Sequence, residues 1–227
     1  MNGILVMTGG GEFEPAMKYV DSIMLDKVVG EKRVVVLPTA CGQDPDRALA
    51  IAETGAAYFR ELGAVSDPVP VIDRDSAMDE ALAERIGAAS VIYMTDGDAS
   101  YLYQILQFSR AWDAIGNLIE LNGIVVASGA SASVFGEHIP ASRMRWGPAF
   151  NIFPGAVIVP RYESASRIGM RLRRWSRFGR FTYLGIDSHT AIFSQDFRFT
   201  VVGEGGVTVW SRHRNETRDD GDLLLWP

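Results

Sequence analysis

Apolar residues in this chain fall into short unbroken runs, separated by stretches with helical spacing. Ile4 to Thr8 is the first run, and it leads into Gly9-Gly10-Gly11. Arg33 to Pro38, with Val34-Val35-Val36-Leu37 at its centre, is the second. Val69 to Ile72, Ser90 to Met94 and Ile124 to Ala127 are the third, fourth and fifth. Between them apolar positions recur three and four residues apart. Met17, Val20, Ile23, Met24 and Val28 predict one face of a helix over Pro15 to Val29. Asp44-Pro45 reads as a cap followed by proline at the first helical position, with the helix running to about Leu62 and ending at Gly63. Further helices are predicted over Met78 to Ile86, from the cap Asp98 through Leu102, Ile105 and Leu106, and from about Ala111 to Leu121. Unbroken apolar strands alternating with helices predict an α/β protein with a mostly parallel central sheet and helices on both faces.

The last third changes character. Ala156 to Val159, Tyr183 to Ile186, Ala191 to Phe193, Phe197 to Val202 and Val207 to Trp210 predict additional late strands. Gly203 to Gly206 reads as the turn of a C-terminal hairpin, and Arg212 to Gly221 as a frayed polar tail. At 227 residues, without internal repeats, the chain predicts a single domain over 1–227.

Charge and cysteine usage narrow the classes. A net charge of −6 argues against nucleic acid or an anionic membrane surface as partner. The single cysteine, Cys41, excludes an internal disulfide. Met1 to Val6 lacks a basic start, and the run from Ile4 to Met7 is too short for a signal core or a membrane span, so a cytoplasmic location is expected.

In an open parallel sheet, ligands bind at the carboxyl ends of the strands. Thr8 to Gly11, Thr39 to Gly42, Thr95 to Asp98 and Ser128 to Ser133 are small or polar clusters at those ends. The last is the sharpest, because a serine between a buried strand and a helix can sit on a tight turn beside backbone N–H groups suited to an oxyanion. Gly129, Ala130, Ala132 and Ser133 leave room for such a turn around Ser131, although Ser133 stands where Gly-x-Ser-x-Gly has its second glycine. A helix-capping serine or glycine is the competing reading. Gly9 to Gly11 lacks the spaced glycines and the acidic partner of a dinucleotide fingerprint, which leaves chain reversal as its simpler role.

Five segments together carry a family resemblance. VASGASASV (126–134) resembles the nucleophile segment of cyanophycinases and aspartyl dipeptidases of the peptidase E type, where Gly-Thr-Ser-Ala-Gly-Ala is usual. YMTDGDASY (93–101) resembles their Gly-Gly-Asp or Gly-Gly-Asn oxyanion loop, FPGAVIVPRY (153–162) the segment ending in Pro-His-Tyr, LGIDSHTAI (184–192) the segment Gly-Ile-Asp-Glu-x-Thr-Ala, and VGEGGVTV (202–209) the ending Gly-Glu-Gly-Ala-Val-Thr-Val. The matches are collinear over nearly the whole chain. The resemblance implies a flavodoxin-like, class-I glutamine-amidotransferase-like fold. It also implies a serine peptidase that hydrolyses peptide bonds, often beside aspartyl residues, with no metal and no cofactor, and it leaves a homodimer open. It places the nucleophile at Ser131 and oxyanion donors at Gly97 and Ala132. Asp98 and Arg161 become substrate-binding candidates.

The departures from the family pattern are chemical. Arg161 stands where the general-base histidine is usual, and a guanidinium does not accept a proton at working pH. Asp96 replaces a glycine and would bring a negative charge toward a developing oxyanion. Ala99 replaces the polar residue that follows. Among the three histidines, His189 in a late loop is the tentative base. His138 lies about two helical turns, ~10 Å, past Ser131, and His213 falls in the polar tail. Arg167, Arg171, Arg173, Arg174, Arg177 and Arg180 crowd into one stretch beyond Arg161, and Arg143, Arg145 and Trp146 mark a candidate lid or specificity loop. Two functional readings follow: a serine hydrolase with a rearranged base, or a catalytically silent relative that binds an acidic peptide or small anionic metabolite through Arg161 and its neighbours. Nucleotide binding at the glycine turn is a weaker third.

Overall fold

The computed structural model describes residues 3–140, 146–164, 181–196, 198–212 and 214–225. Its centre is an eight-stranded sheet in the order β14-β11-β10-β1-β5-β4-β2-β3. Here β1 is Ile4–Thr8, β2 Arg33–Leu37, β3 Val65–Pro68, β4 Val91–Met94, β5 Ile124–Ala127, β10 Thr190–Gln195, β11 Arg198–Gly203 and β14 Leu223–Leu225. Strands β1 to β5 run parallel, and β10, β11 and β14 extend the sheet antiparallel from β1.

The unbroken apolar runs are explained by burial on both faces. Leu5, Met7, Val35, Leu37, Ile92, Met94, Val125 and Ala127 point into one core. The alternate residues Ile4, Val6, Val34, Val36, Val91, Tyr93, Ile124 and Val126 point into the other. That is the two-residue period of a strand with no solvent face. Helices α1 (Lys18–Asp26) and α2 (Pro45–Glu61) cover the second core. Helices α3 (Arg74–Met78), α4 (Glu80–Gly87), α5 (Ala99–Leu106) and α6 (Arg110–Glu120) cover the first. Helix α2 starts as the sequence predicts, with Asp44 accepting from the Arg47 N–H at 3.2 Å and proline at the first helical position.

Several expectations are corrected. The third strand is Val65–Pro68, and Val69 and Val71 are buried just beyond it. Their apolar character serves packing outside the strand, so composition misplaced the element. The helix expected over Met78 to Ile86 is broken at Asp79, whose extended backbone and side chain start α4 afresh. Gly203 to Gly206 is not a hairpin turn. It carries the chain from β11 into a second sheet, of order β13-β12-β9-β8, made of Ala156–Pro160 (β8), Thr182–Ile186 (β9), Val207–Trp210 (β12) and Asn215–Arg218 (β13). The Gly205 and Gly206 N–H groups donate to Thr190 Oγ1 and Asp187 Oδ2, which holds this crossing in place. The polar end is paired, not frayed: β13 adds to β12 and β14 to β11. A short ribbon, His138–Pro140 (β6) with Trp146–Pro148 (β7), was missed as well. Among the described residues, no helix is long and apolar enough to cross a membrane.

Candidate functional site

The carboxyl ends of β1, β2, β4 and β5 open into a cleft of about 960 Å³. Gly11 and Glu12, Ala40 and Cys41, Asp96 to Asp98, Ala130 and Ser133 line it, and Arg161 reaches it from the end of β8. The four clusters singled out in the sequence thus converge because parallel strands deliver their carboxyl ends to one edge.

The turn after β5 holds the first surprise. In a nucleophile elbow the residue at the strained apex carries the nucleophile. Here the left-handed backbone belongs to Gly129, at φ +53°. Ser131 lies two residues on, inside the 3-10 turn Gly129–Phe135. Ser131 is fully buried, and its hydroxyl donates to the Thr95 carbonyl at 2.6 Å. That hydroxyl is already spent on a backbone oxygen, and Ser131 is not among the residues that line the cleft. Ala132 is fully buried too.

The second surprise is what stands at the apex. Asp96 Oδ1 accepts from the N–H of Ala130 at 2.7 Å and of Gly97 at 2.8 Å. Its other oxygen pairs with the Arg161 guanidinium. A β-carbon built on Gly129 would lie 2.3 Å from the Asp96 carboxyl carbon, so the carboxylate fills the space an apex side chain would use. Gly97 is required for a similar reason, because a β-carbon there would meet the Ala40 carbonyl oxygen at 2.4 Å. The turn thus directs the Ala130 N–H to Asp96, while Ala132, the donor the resemblance implies, is buried.

Glu12 supports this arrangement from below. Its carboxyl accepts the Asp96 N–H at 2.7 Å. Burial pushes Glu12 up to about 7, opposed by hydrogen bonds from the Asp96 N–H and the Ser128 side chain. Arg161 is raised above its ordinary range by its hydrogen bond to Asp96, so the guanidinium is a permanent cation here. Its backbone is left-handed at φ +49°, its N–H donates to the Gly9 carbonyl, and its guanidinium lies over Gly10. The glycine turn after β1 thus seats Arg161. Cys41 also lines the cleft, but burial raises its thiol, which donates to the Asp96 carbonyl.

His189 is engaged by residues of the cleft wall. Its Nε2 lies 2.8 Å from Glu14, and its ring packs against Gly11. The structure places it beside Glu14 and not beside the Ser131 hydroxyl. Asp98 lines the cleft and caps α5, accepting from the Ser100 and Tyr101 N–H groups. His138 lies 3.6 Å from Glu137. Glu163 is committed to Ser188, accepting from both its N–H and its hydroxyl. Arg143, Arg145, the arginines from 167 to 180 and His213 lie outside the described residues. Among the described residues, no group of three or more acidic, histidine or cysteine side chains is arranged to hold a metal ion.

Sequence reasoning missed Glu12, and it missed the contacts that Gly129 and Ala130 make with Asp96. A signal was present. Set two residues earlier against the usual Gly-Thr-Ser-Ala-Gly-Ala, the segment reads Ala127-Ser128-Gly129-Ala130-Ser131-Ala132, which puts Gly129 at the serine position. Strand β5 ends at Ala127, and Gly129 is the residue of this segment with a left-handed backbone.

Comparison with known proteins gives the family. No curated protein matches the chain. Among solved structures, a peptidase from an acI-B1 Actinobacterium superposes with a TM-score of 0.87 at 22% identity, covering 100% of this chain and 98% of that one. A candidate peptidase E from Listeria monocytogenes EGD-e superposes with a TM-score of 0.67 at 16% identity, covering 90% of this chain and 100% of that one. At these identities the likeness establishes the fold. The model of peptidase family S51 matches residues 4–202, from the first strand to the eleventh, and the chain therefore belongs to peptidase family S51.

Proposed function

We propose that this chain is a peptide-binding member of its family whose cleft does not run serine hydrolysis. Membership of a peptidase family supports a peptidase-like cleft and a peptide as its ligand. The observation that carries the rest is the Asp96 carboxylate, held by the Gly97 and Ala130 N–H groups against a side-chain-free apex. Acyl transfer needs an exposed nucleophile, a base to take its proton, and free donors for the oxyanion. At this turn the apex is glycine, the nearby basic group is a guanidinium, and the donors already hold a full negative charge. Ser131 would need to leave its bond to the Thr95 carbonyl and turn toward the cleft before it could attack a carbonyl carbon.

The test is intact-mass analysis after treatment with a broad fluorophosphonate. The expected result is well-folded wild-type protein without an adduct. A single adduct that disappears in Ser131→Ala would overturn the proposal and return Ser131 to the role of nucleophile.

A further inference from the structure

If the cleft binds a ligand without cleaving it, the chemistry around Asp96 indicates what part of the ligand is recognised there. Two converging backbone N–H groups and one guanidinium form a compact three-point grip on a single carboxylate. Bonds of this kind, between an ionised acceptor and a charged or backbone donor, are the short and strong class. Gly97 and Ala130 come from loops after two different strands, and Arg161 from a third. The Gly97 bond is local to Asp96, and the fold adds the Ala130 N–H and the Arg161 guanidinium from 34 and 65 residues away. The Asp96 side chain is not sealed in: its relative exposure is 18%, and that of Arg161 is 46%. Both lie in the wall of the cleft.

We propose that the Gly97 N–H, the Ala130 N–H and the Arg161 guanidinium form a carboxylate-binding site in which Asp96 is the resident, and that ligands bearing a carboxylate bind by exchanging with it. The proposal rests on the reading of the cleft as a binding site and names the ligand group it takes. Asp96 acts as an internal competitor. It stabilises the unliganded cleft, where two donors and a cation would otherwise converge without an acceptor, and it sets a threshold that an incoming carboxylate must exceed. Arg161 serves both carboxylates in turn.

Removing the competitor tests this. Asp96→Ala, titrated with acetate and monitored by thermal shift and calorimetry, is expected to bind at least about tenfold more tightly than wild type, which corresponds to roughly 1.4 kcal/mol. Chloride at equal ionic strength and neutral acetamide are expected to have no such effect. Adding Arg161→Gln to Asp96→Ala is expected to remove most of the gain. Folded Asp96→Ala that ignores acetate, or that binds it equally well after Arg161→Gln, overturns the site. If Asp96→Ala does not fold in chloride buffer, refolding in acetate is the readout. Recovery in acetate alone supports the site, and failure in both buffers overturns it. Labelling of Ser131 by fluorophosphonate would reject the non-hydrolytic reading but would not mimic any of these results.

Discussion

The combined variant Gly129→Ser, Asp96→Gly, Arg161→His is expected to take one fluorophosphonate adduct at position 129, whereas wild type and each single variant stay unlabelled. The logic is geometric. Gly129→Ser alone places a β-carbon within 2.5 Å of three Asp96 carboxyl atoms on a backbone at φ +53°. Left-handed backbone costs an ordinary residue roughly 1–2 kcal/mol, and the collision adds to that. The single variant should therefore be measurably less stable than wild type. Asp96→Gly removes the obstruction and frees the Ala130 and Gly97 N–H groups for an oxyanion. Arg161→His then supplies a group able to accept the serine proton, and such a base typically contributes on the order of 10²–10⁴ in rate. Asp96→Gly should also relieve most of the stability lost in Gly129→Ser, since the two positions are in direct contact. A folded combined variant that remains unlabelled would mean that this turn is not a competent elbow, and the assignment of Gly129 to the apex role would fall.

The second large effect concerns Asp21, which α1 buries against α2. Asp21 is 1% exposed and accepts the Tyr58 hydroxyl at 2.8 Å. Burial pushes its carboxyl up to about 7 from an ordinary value of 3.8, with the Tyr58 hydrogen bond opposing and the charge of Glu12 adding to the rise. The folded protein therefore keeps a proton that the unfolded chain releases near pH 4. Between about pH 4 and pH 7 the native state binds more protons, so stability is greatest at the acidic end and falls as pH rises. The shift corresponds to stability on the order of 4 kcal/mol lost by pH 8. Asp21→Asn keeps an acceptor for Tyr58 and cannot ionise. Urea unfolding should show it close to wild type near pH 4, clearly more stable at pH 8, and with a shallower dependence between. Glu12 is raised in the same direction, so Glu12→Gln should remove part of the slope that remains. An Asp21→Asn variant with an unchanged slope would place the proton elsewhere.

Much of the fold and part of the site follow from local pattern. The strands β1, β2, β4 and β5 were legible because residues buried on both faces leave no polar interruption, and Asp44-Pro45 and Asp98 mark helix starts whose chemistry is local. The clusters lining the cleft were legible for the same reason, since parallel strands place their following loops at one edge. The segments around residues 93–101 and 126–134 pointed correctly to the family. Where local composition misled, pairing outside the segment itself was responsible. The polar segment 215–218 becomes a strand because β12 offers it an edge, and Gly203 to Gly206 links two sheets because Thr190 and Asp187 satisfy its N–H groups.

The sequence by itself determined the layered α/β architecture, the edge at which a site could form, and the presence there of Asp96 and Arg161. Only the tertiary structure decided which residue of Ser128-Gly129-Ala130-Ser131 occupies the strained apex, and what Asp96 does with its charge. The physical reason is that an apex is defined by backbone φ and by what lies across from it. Gly129 faces Asp96, 33 residues away in the chain, and Asp96 in turn is held by Glu12 and Arg161. Local pattern and the family resemblance pointed to the serine. The contacts that withdraw it into the core and set a carboxylate over the glycine exist only once four loops have met.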